Sequence, residues 1–321
     1  MRATTTTVDG WVDVHGHFTP PITERERIAR WEAMREQRFM APQPHYWSPE
    51  STLDYLDRTG IAMQMLSNIP AQHTELRNSN DYGAKVVAEH PSRFGLLAAV
   101  PTDNPEVALA EIERADTELN ADGYAVSTAY NGVSLADERL EPVWADLDRR
   151  RAVVFAHPNA YLPPVLAHPV PLIEVAFETA RCVVGMLYAG VFRRYPHLTL
   201  ILAHAGGALP ALSGRLQLLG TEAWVPNPQR ITRDEIRQHL GRLYLDTAAS
   251  GMDASLAPAL TMVPRHHLVY GADCGVPCST DATMAANIEA LRHSEVLAGD
   301  EADQLGRRAL ELFPAAARRR G

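Results

Sequence analysis

Four histidines and one aspartate stand at the ends of short apolar runs. His15 and His17 close Val12-Asp-Val-His-Gly-His17, His157 closes Val153-Val-Phe-Ala-His157, His204 closes Leu200-Ile-Leu-Ala-His204, and Asp273 closes Tyr270-Gly-Ala-Asp273. Imidazole nitrogens and a carboxylate oxygen form a borderline-soft donor set that suits Zn²⁺, with Mn²⁺ or Fe²⁺ as alternatives. Two residues apart on a strand, His15 and His17 direct both rings to one face. A single strand-end histidine is ordinarily a satisfied buried polar group, and thirteen histidines in the chain produce a His-x-His by chance. Placement separates this set: His90, His168, His197 and His293 fall in helix or loop patterns, and His266 and His267 open the last apolar run at its opposite end.

The elements that must position these residues alternate. Eight apolar, β-branched runs (11–17, 61–69, 94–100, 123–128, 152–157, 198–204, 243–247 and 267–272) are separated by helical patterns. Ser48-Pro49 reads as a cap with proline at the first helical position, and Gly60 comes after the last turn. Asn104-Pro105 opens another helix, and 140–150 reads as a third. Continuous hydrophobic strands each followed by a helix indicate a parallel sheet covered by helices, and eight such units closing on themselves make a distorted (β/α)₈ TIM barrel. An open doubly wound sheet is the alternative. Residues 19–49 form a long insertion after strand one, and 159–171 a proline-rich loop after strand five; loops of such length are commonly lids or binding loops. In a barrel the active site lies at the C-terminal strand ends, where His15, His17, His157, His204 and Asp273 would converge.

Composition narrows the class. With 321 residues, 39 acidic and 30 basic side chains, the chain carries a formal charge of −9, which argues against a nucleic-acid partner. No apolar run approaches the roughly 18 residues of a membrane span, and the N-terminus has no secretory apolar region. Cys182, Cys274 and Cys278 make no disulfide framework. These features predict a soluble cytoplasmic protein, with 1–321 as one barrel domain. Lys85 is the only lysine, so lysine is absent from almost every mechanistic role.

The chain resembles the amidohydrolase superfamily, and within it the branch holding aminocarboxymuconate-semialdehyde, γ-resorcylate and 6-methylsalicylate decarboxylases. The resemblance covers nearly the whole chain. It rests on Val12-Asp-Val-His-Gly-His-Phe18, Ser92-Arg-Phe-Gly95, Glu141-Pro-Val-Trp144, Val154-Phe-Ala-His-Pro158, Tyr195-Pro-His-Leu198, Ala203-His-Ala-Gly-Gly207, Tyr270-Gly-Ala-Asp273 and Leu310-Glu-Leu-Phe-Pro314. It implies that His15, His17, His157 and Asp273 hold one divalent metal, Zn²⁺ first and Mn²⁺ second. His204 would stand beside the open position as a proton-transfer or substrate-orienting group. Some relatives carry an arginine eleven residues later that holds the substrate carboxylate in a neighbouring subunit. Here that position is Arg215, and the resemblance implies a homodimer; the alternative is an arginine on an exposed helix face. Binuclear members bridge their metals through a lysine or carboxylate at strand four, where this chain has Gly123-Tyr-Ala-Val-Ser-Thr-Ala-Tyr130 and neither. One metal is expected.

Two departures stand out. Relatives usually follow the metal aspartate with an aromatic residue and proline, whereas this chain has Asp273-Cys274-Gly275, which should reshape the pocket. Arg308 replaces a common asparagine. Cys274 and Cys278 make no structural zinc site without a second pair, and either line the pocket or pack.

The expected reaction is non-oxidative decarboxylation of a small aromatic, 2-hydroxybenzoate-like or enol carboxylate, with Asp273 as first and His204 as second proton donor. The alternatives are metal-dependent hydrolysis of a lactone, amide or cyclic imide, and a catalytically silent barrel. Phe18, Ser67, Cys274 and Arg215 are the expected substrate contacts, with Trp47, Asn68 and Tyr130 further mouth residues. Asp246 either orients a ligand histidine or caps the helix near Asp253.

Overall fold

The computed structural model describes residues 7–160 and 167–321, so part of the expected 159–171 loop lies outside the described residues. Seven apolar runs form one parallel sheet in chain order: β1 (Trp11–His17), β2 (Ile61–Ser67), β3 (Phe94–Ala99), β4 (Gly123–Ser127), β5 (Val153–His157), β6 (Thr199–Leu202) and β7 (Tyr244–Leu245). Alternate side chains bury on opposite faces, which is why the runs read as continuously apolar. Val12, Met63, Leu97, Phe155, Ile201 and Val269 gather in an inner cluster with Phe313. Leu66, Leu96, Val126, Val154, Leu200 and Leu245 belong to the outer cluster shared with the helices.

The eighth expected strand, 267–272, is corrected. Residues 265–267 form a 3₁₀ turn after Pro264, and residues 268–274 make only isolated bridges, Leu268 with Leu245 and Cys274 with Gly16. Side chains take its ladder positions: the Ala272 N–H donates to Asp13 Oδ1 at 2.9 Å and the Gly271 N–H to Thr247 Oγ1 at 3.3 Å. The segment nevertheless touches both edges of the sheet. Val269 N–H donates to Leu245 O (3.0 Å), while Val14 N–H donates to Tyr270 O (2.9 Å) and His17 N–H to Cys274 O (2.7 Å). Strands six and seven are also shorter than expected.

The main helices are α1 (Glu24–Glu36), α2 (Pro49–Thr59), α3 (His73–Glu89), α4 (Pro105–Thr117), α5 (Glu141–Arg149), α6 (Glu174–Tyr188), α7 (Leu209–Leu219), α8 (Arg233–Gly241), α9 (Asp253–Met262) and α10 (Asp281–Arg292), followed by short ones at the C-terminus. Ser48 caps α2 by accepting from the Ser51 N–H, and Asn104 caps α4, as their sequences predict. The chain between β1 and α2 contains α1, which has no buried residue.

Candidate active site

Strand parity alone would misplace the first pair of histidines. Val12 and Val14 both join the inner cluster, so a regular strand would turn His15 and His17 away from it. A register shift between Asp13 and Gly16 breaks the alternation. Asp13, fully buried, accepts from the His15 N–H at 2.9 Å and from Gln64 Nε2 at 2.7 Å, so one carboxylate braces the irregular backbone. Both rings then meet His157, with centroids 5.0 and 4.9 Å away. Phe155, two residues before His157, stands edge-on to His15 at 4.9 Å and floors the site.

The donor atoms converge. His15 Nε2 lies 3.0 Å from His17 Nε2 and 3.3 Å from Asp273 Oδ1, which is 3.1 Å from His17 Nε2. One ligand atom each from His15, His157, His204 and Asp273 falls within 4.8 Å of all the others. His17 therefore stands against two members of that group. The outer ring nitrogens are committed elsewhere: His15 Nδ1–H donates to Asp246 Oδ2 and His157 Nδ1–H to Pro158 O, each at 2.7 Å. That fixes both tautomers with Nε2 as the free donor, the arrangement metal-binding histidines adopt. Asp246, fully buried, also accepts from the His204 and Ala248 N–H groups at 2.8 and 3.0 Å. It faces His15 rather than the helix that starts at Asp253. His204 Nδ1 is buried without a hydrogen-bond partner among the described residues, and its Nε2 is 4.0 Å from Asp273 Oδ2.

The electrostatics follow from this crowding. Burial alone would lower the pKa of His15, but Asp246 and Asp273 outweigh it and push it up to about 10. Burial, then His17, His15 and His204, hold His157 well below its usual range. Burial and His15 lower His204 as well. Burial would raise Asp273, yet His15 and His17 keep its carboxyl well below the usual carboxylate range. Three imidazole nitrogens and a carboxylate oxygen this close together form a donor set that suits a divalent ion. His204 and Asp273 also hold left-handed backbone, at φ 55° and 58°, conformations retained where surrounding contacts over-determine them.

The other expected contacts are dispersed. Phe18 is buried against Trp47 and Tyr82, with ring centroids at 5.9 and 6.1 Å. Ser67 is buried, its hydroxyl 3.4 Å from Gly16 O, and Asn68 Nδ2 donates to Ser79. Cys274 is buried in the outer cluster, where burial pushes its thiol up to about 12. Tyr130 donates to Pro70 O. Arg215 is exposed on α7 and has no ion-pair partner among the described residues. Sequence reasoning missed Asp13, Ser279 and His45. The Ser279 hydroxyl donates to Asp273 Oδ2 at 3.1 Å, beside the Cys278 thiol at 3.6 Å. Asp13 lies two residues before His15 in the same apolar run; the other two are long-range contacts without a local signal.

Comparison with known proteins identifies the family. The sequence pattern of the amidohydrolase family matches residues 12–310. The decarboxylase macB of Penicillium terrestre is 31% identical over 94% of this chain and 94% of its own. The 6-methylsalicylic acid decarboxylase of Penicillium expansum is 29% identical over 94% and 96%. The solved dihydroxybenzoic acid decarboxylase of Polaromonas, holding manganese and the inhibitor 2-nitroresorcinol, superposes with a TM-score of 0.75 at 22% identity, covering 96% of this chain and 97% of that one.

Proposed function

Since the chain belongs to the amidohydrolase family, we propose that it is a one-metal, non-oxidative decarboxylase of a small 2-hydroxybenzoate-like acid. The convergence of His15, His17, His157 and Asp273, with His204 facing the second oxygen of Asp273, carries this reading. The two fungal relatives are decarboxylases, which favours this chemistry over hydrolysis.

His15, His17, His157 and Asp273 Oδ1 would hold the ion, Zn²⁺ by its donor set, with Mn²⁺ supported by the Polaromonas neighbour. When bound it would supply Lewis-acid polarisation and a template for the carboxylate and its ortho oxygen. Direct loss of CO₂ would leave an aryl carbanion, so a proton must reach the carboxyl-bearing ring carbon first. Asp273, ionised at rest, takes a proton from the incoming acid and delivers it to that carbon. The C–C bond then breaks, its electron pair restores the aromatic ring, and CO₂ leaves. Ser279 aims Asp273 Oδ2 for this transfer. His204, neutral at rest, is the second candidate for the same proton and orients the substrate through Nε2.

The exposed, unpaired Arg215 supports supply of a carboxylate-binding group in trans within a homodimer, and exposed Leu218 and Trp224 nearby in the chain support an interface there. Phe18, Ser67 and Cys274 would shape the pocket from behind rather than touch the ring. Contacts of 268–274 with both sheet edges support a closed, distorted (β/α)₈ barrel with a long insertion after β1. One domain over 1–321 is supported by Phe313 packing with Val12. Three free cysteines support a reducing, cytoplasmic setting.

The test is CO₂ release by metal-loaded protein across hydroxybenzoates, methylsalicylates and enol carboxylates, with metal content measured on each sample. We expect release from a 2-hydroxybenzoate, abolished in His204→Ala while metal is retained. Turnover of lactones or imides with no CO₂ from any acid would overturn the reading.

A further inference from the structure

The helix α1 buries no side chain, and its own hydrogen bonds stay local: Trp31 Nε1–H to Ala41 O and Arg27 to Glu24. Residues 19–46 must be held to the barrel by something else. Among the described residues a single hydrogen bond joins them to the rest of the chain: His45 Nε2–H donates to Gly275 O at 2.9 Å. Its acceptor lies two residues beyond Asp273. The turn that carries Asp273 is left-handed at Asp273 (φ 58°) and again at Gly275 (φ 94°), so its backbone needs outside contacts to keep it there. One side of the turn is held by β1, through the bond from His17 N–H to Cys274 O at 2.7 Å. The other side is held by residues 45–47. A Cβ on Gly275 would come within 2.1 Å of His17 O and 3.1 Å of Trp47 Cδ1, which leaves no room for a side chain between these two walls. The unusual Cys274-Gly275 after the aspartate thus goes with a wall supplied from the segment after β1.

We infer that His45 is a positioning residue for the metal centre: its hydrogen bond to Gly275 O clamps the Asp273–Gly275 turn against β1 and holds the Asp273 carboxylate on His15 and His17. It touches neither the ion nor the substrate and acts through the turn. This rests on the reading of Asp273 as a metal ligand.

The experiment compares wild type, His45→Ala, His45→Gln and Asp273→Ala, all loaded with Mn²⁺, for the rate of metal release into excess chelator, and for kcat and KM on the best hydroxybenzoate. Gln is chosen because its Nε2 reaches the position of the histidine Nε2–H. We expect His45→Ala to release metal about tenfold faster, the low end for loss of a supporting hydrogen bond, with kcat falling and KM little changed. His45→Gln should restore both. Unchanged release and kcat in His45→Ala, beside rapid loss from Asp273→Ala, would overturn the positioning role and leave the metal centre standing. So would His45→Gln failing like His45→Ala, which would assign the effect to ring packing. Retention of metal by Asp273→Ala would instead strike the metal-centre reading itself, and the inference with it.

Discussion

At the N-terminal end of the strands, Phe313 packs over the start of β4, its ring 3.2 Å from where a Gly123 Cβ would sit, and joins Val12, Leu97 and Ile201 in an apolar plug. Arg319 pairs through both terminal nitrogens with buried Asp122 at 3.0 and 2.7 Å, pinning the last helix across that end. At the C-terminal end the same strands stop in histidines and aspartates, two of them in left-handed backbone, with donor atoms of His15, His157, His204 and Asp273 all within 4.8 Å of one another. One end is packing tied by an ion pair. The other concentrates polar groups that would repel or orphan one another without a cation. The difference teaches that the sheet carries stability and chemistry at opposite ends, so they should respond separately to substitution.

Phe313→Ala should bring the largest change. Removing a fully buried ring destabilises by about 4 kcal/mol. Denaturant unfolding should show this, while kcat of the folded protein at low temperature stays within a few-fold of wild type. Equal losses of stability and kcat would break the separation. Asp246→Asn should act first on the metal. It removes the charge that fixes the His15 tautomer and supports the His204 backbone. Metal affinity by competition with a chelator should fall about 10- to 100-fold, a loss that Phe313→Ala should not show in its folded fraction.

The smallest effect lies away from both ends. Glu235 caps α8 and pairs with Arg193, whose hydrogen bond lowers its pKa to about 2. A carboxylate with a depressed folded-state pKa contributes stability that is complete above its unfolded value and disappears as pH falls through the folded one. Glu235→Gln should therefore cost stability at neutral pH by under about 1 kcal/mol, given its exposure, and the difference from wild type should vanish as pH drops from 4.5 towards 2. A difference that grew in acid would contradict the assignment.

Much of the fold and site is legible in the sequence because it is periodic. Strand-ending histidines at 15, 17, 157 and 204 and Asp273 are visible wherever an apolar run stops at a histidine or aspartate. The caps at Ser48 and Asn104 are local chemistry, and local sequence suffices to find them. The eighth strand misleads because an apolar run implies a ladder, whereas Asp13 and Thr247 supply the partners for Ala272 and Gly271. His15 and His17 do share a face, but through a register shift that no spacing rule contains. His45 and Gly275 are 230 residues apart, so their contact leaves no local trace.

The most direct test of the mechanism traces the proton. The best hydroxybenzoate would be turned over in D₂O and the product examined by NMR and mass spectrometry, with CO₂ collected in parallel. Delivery of one proton to the carboxyl-bearing carbon predicts a single deuterium at that ring position and one CO₂ per product. A product that carries an oxygen from water, with its carboxyl carbon retained, would contradict it and make the same metal centre a hydrolase.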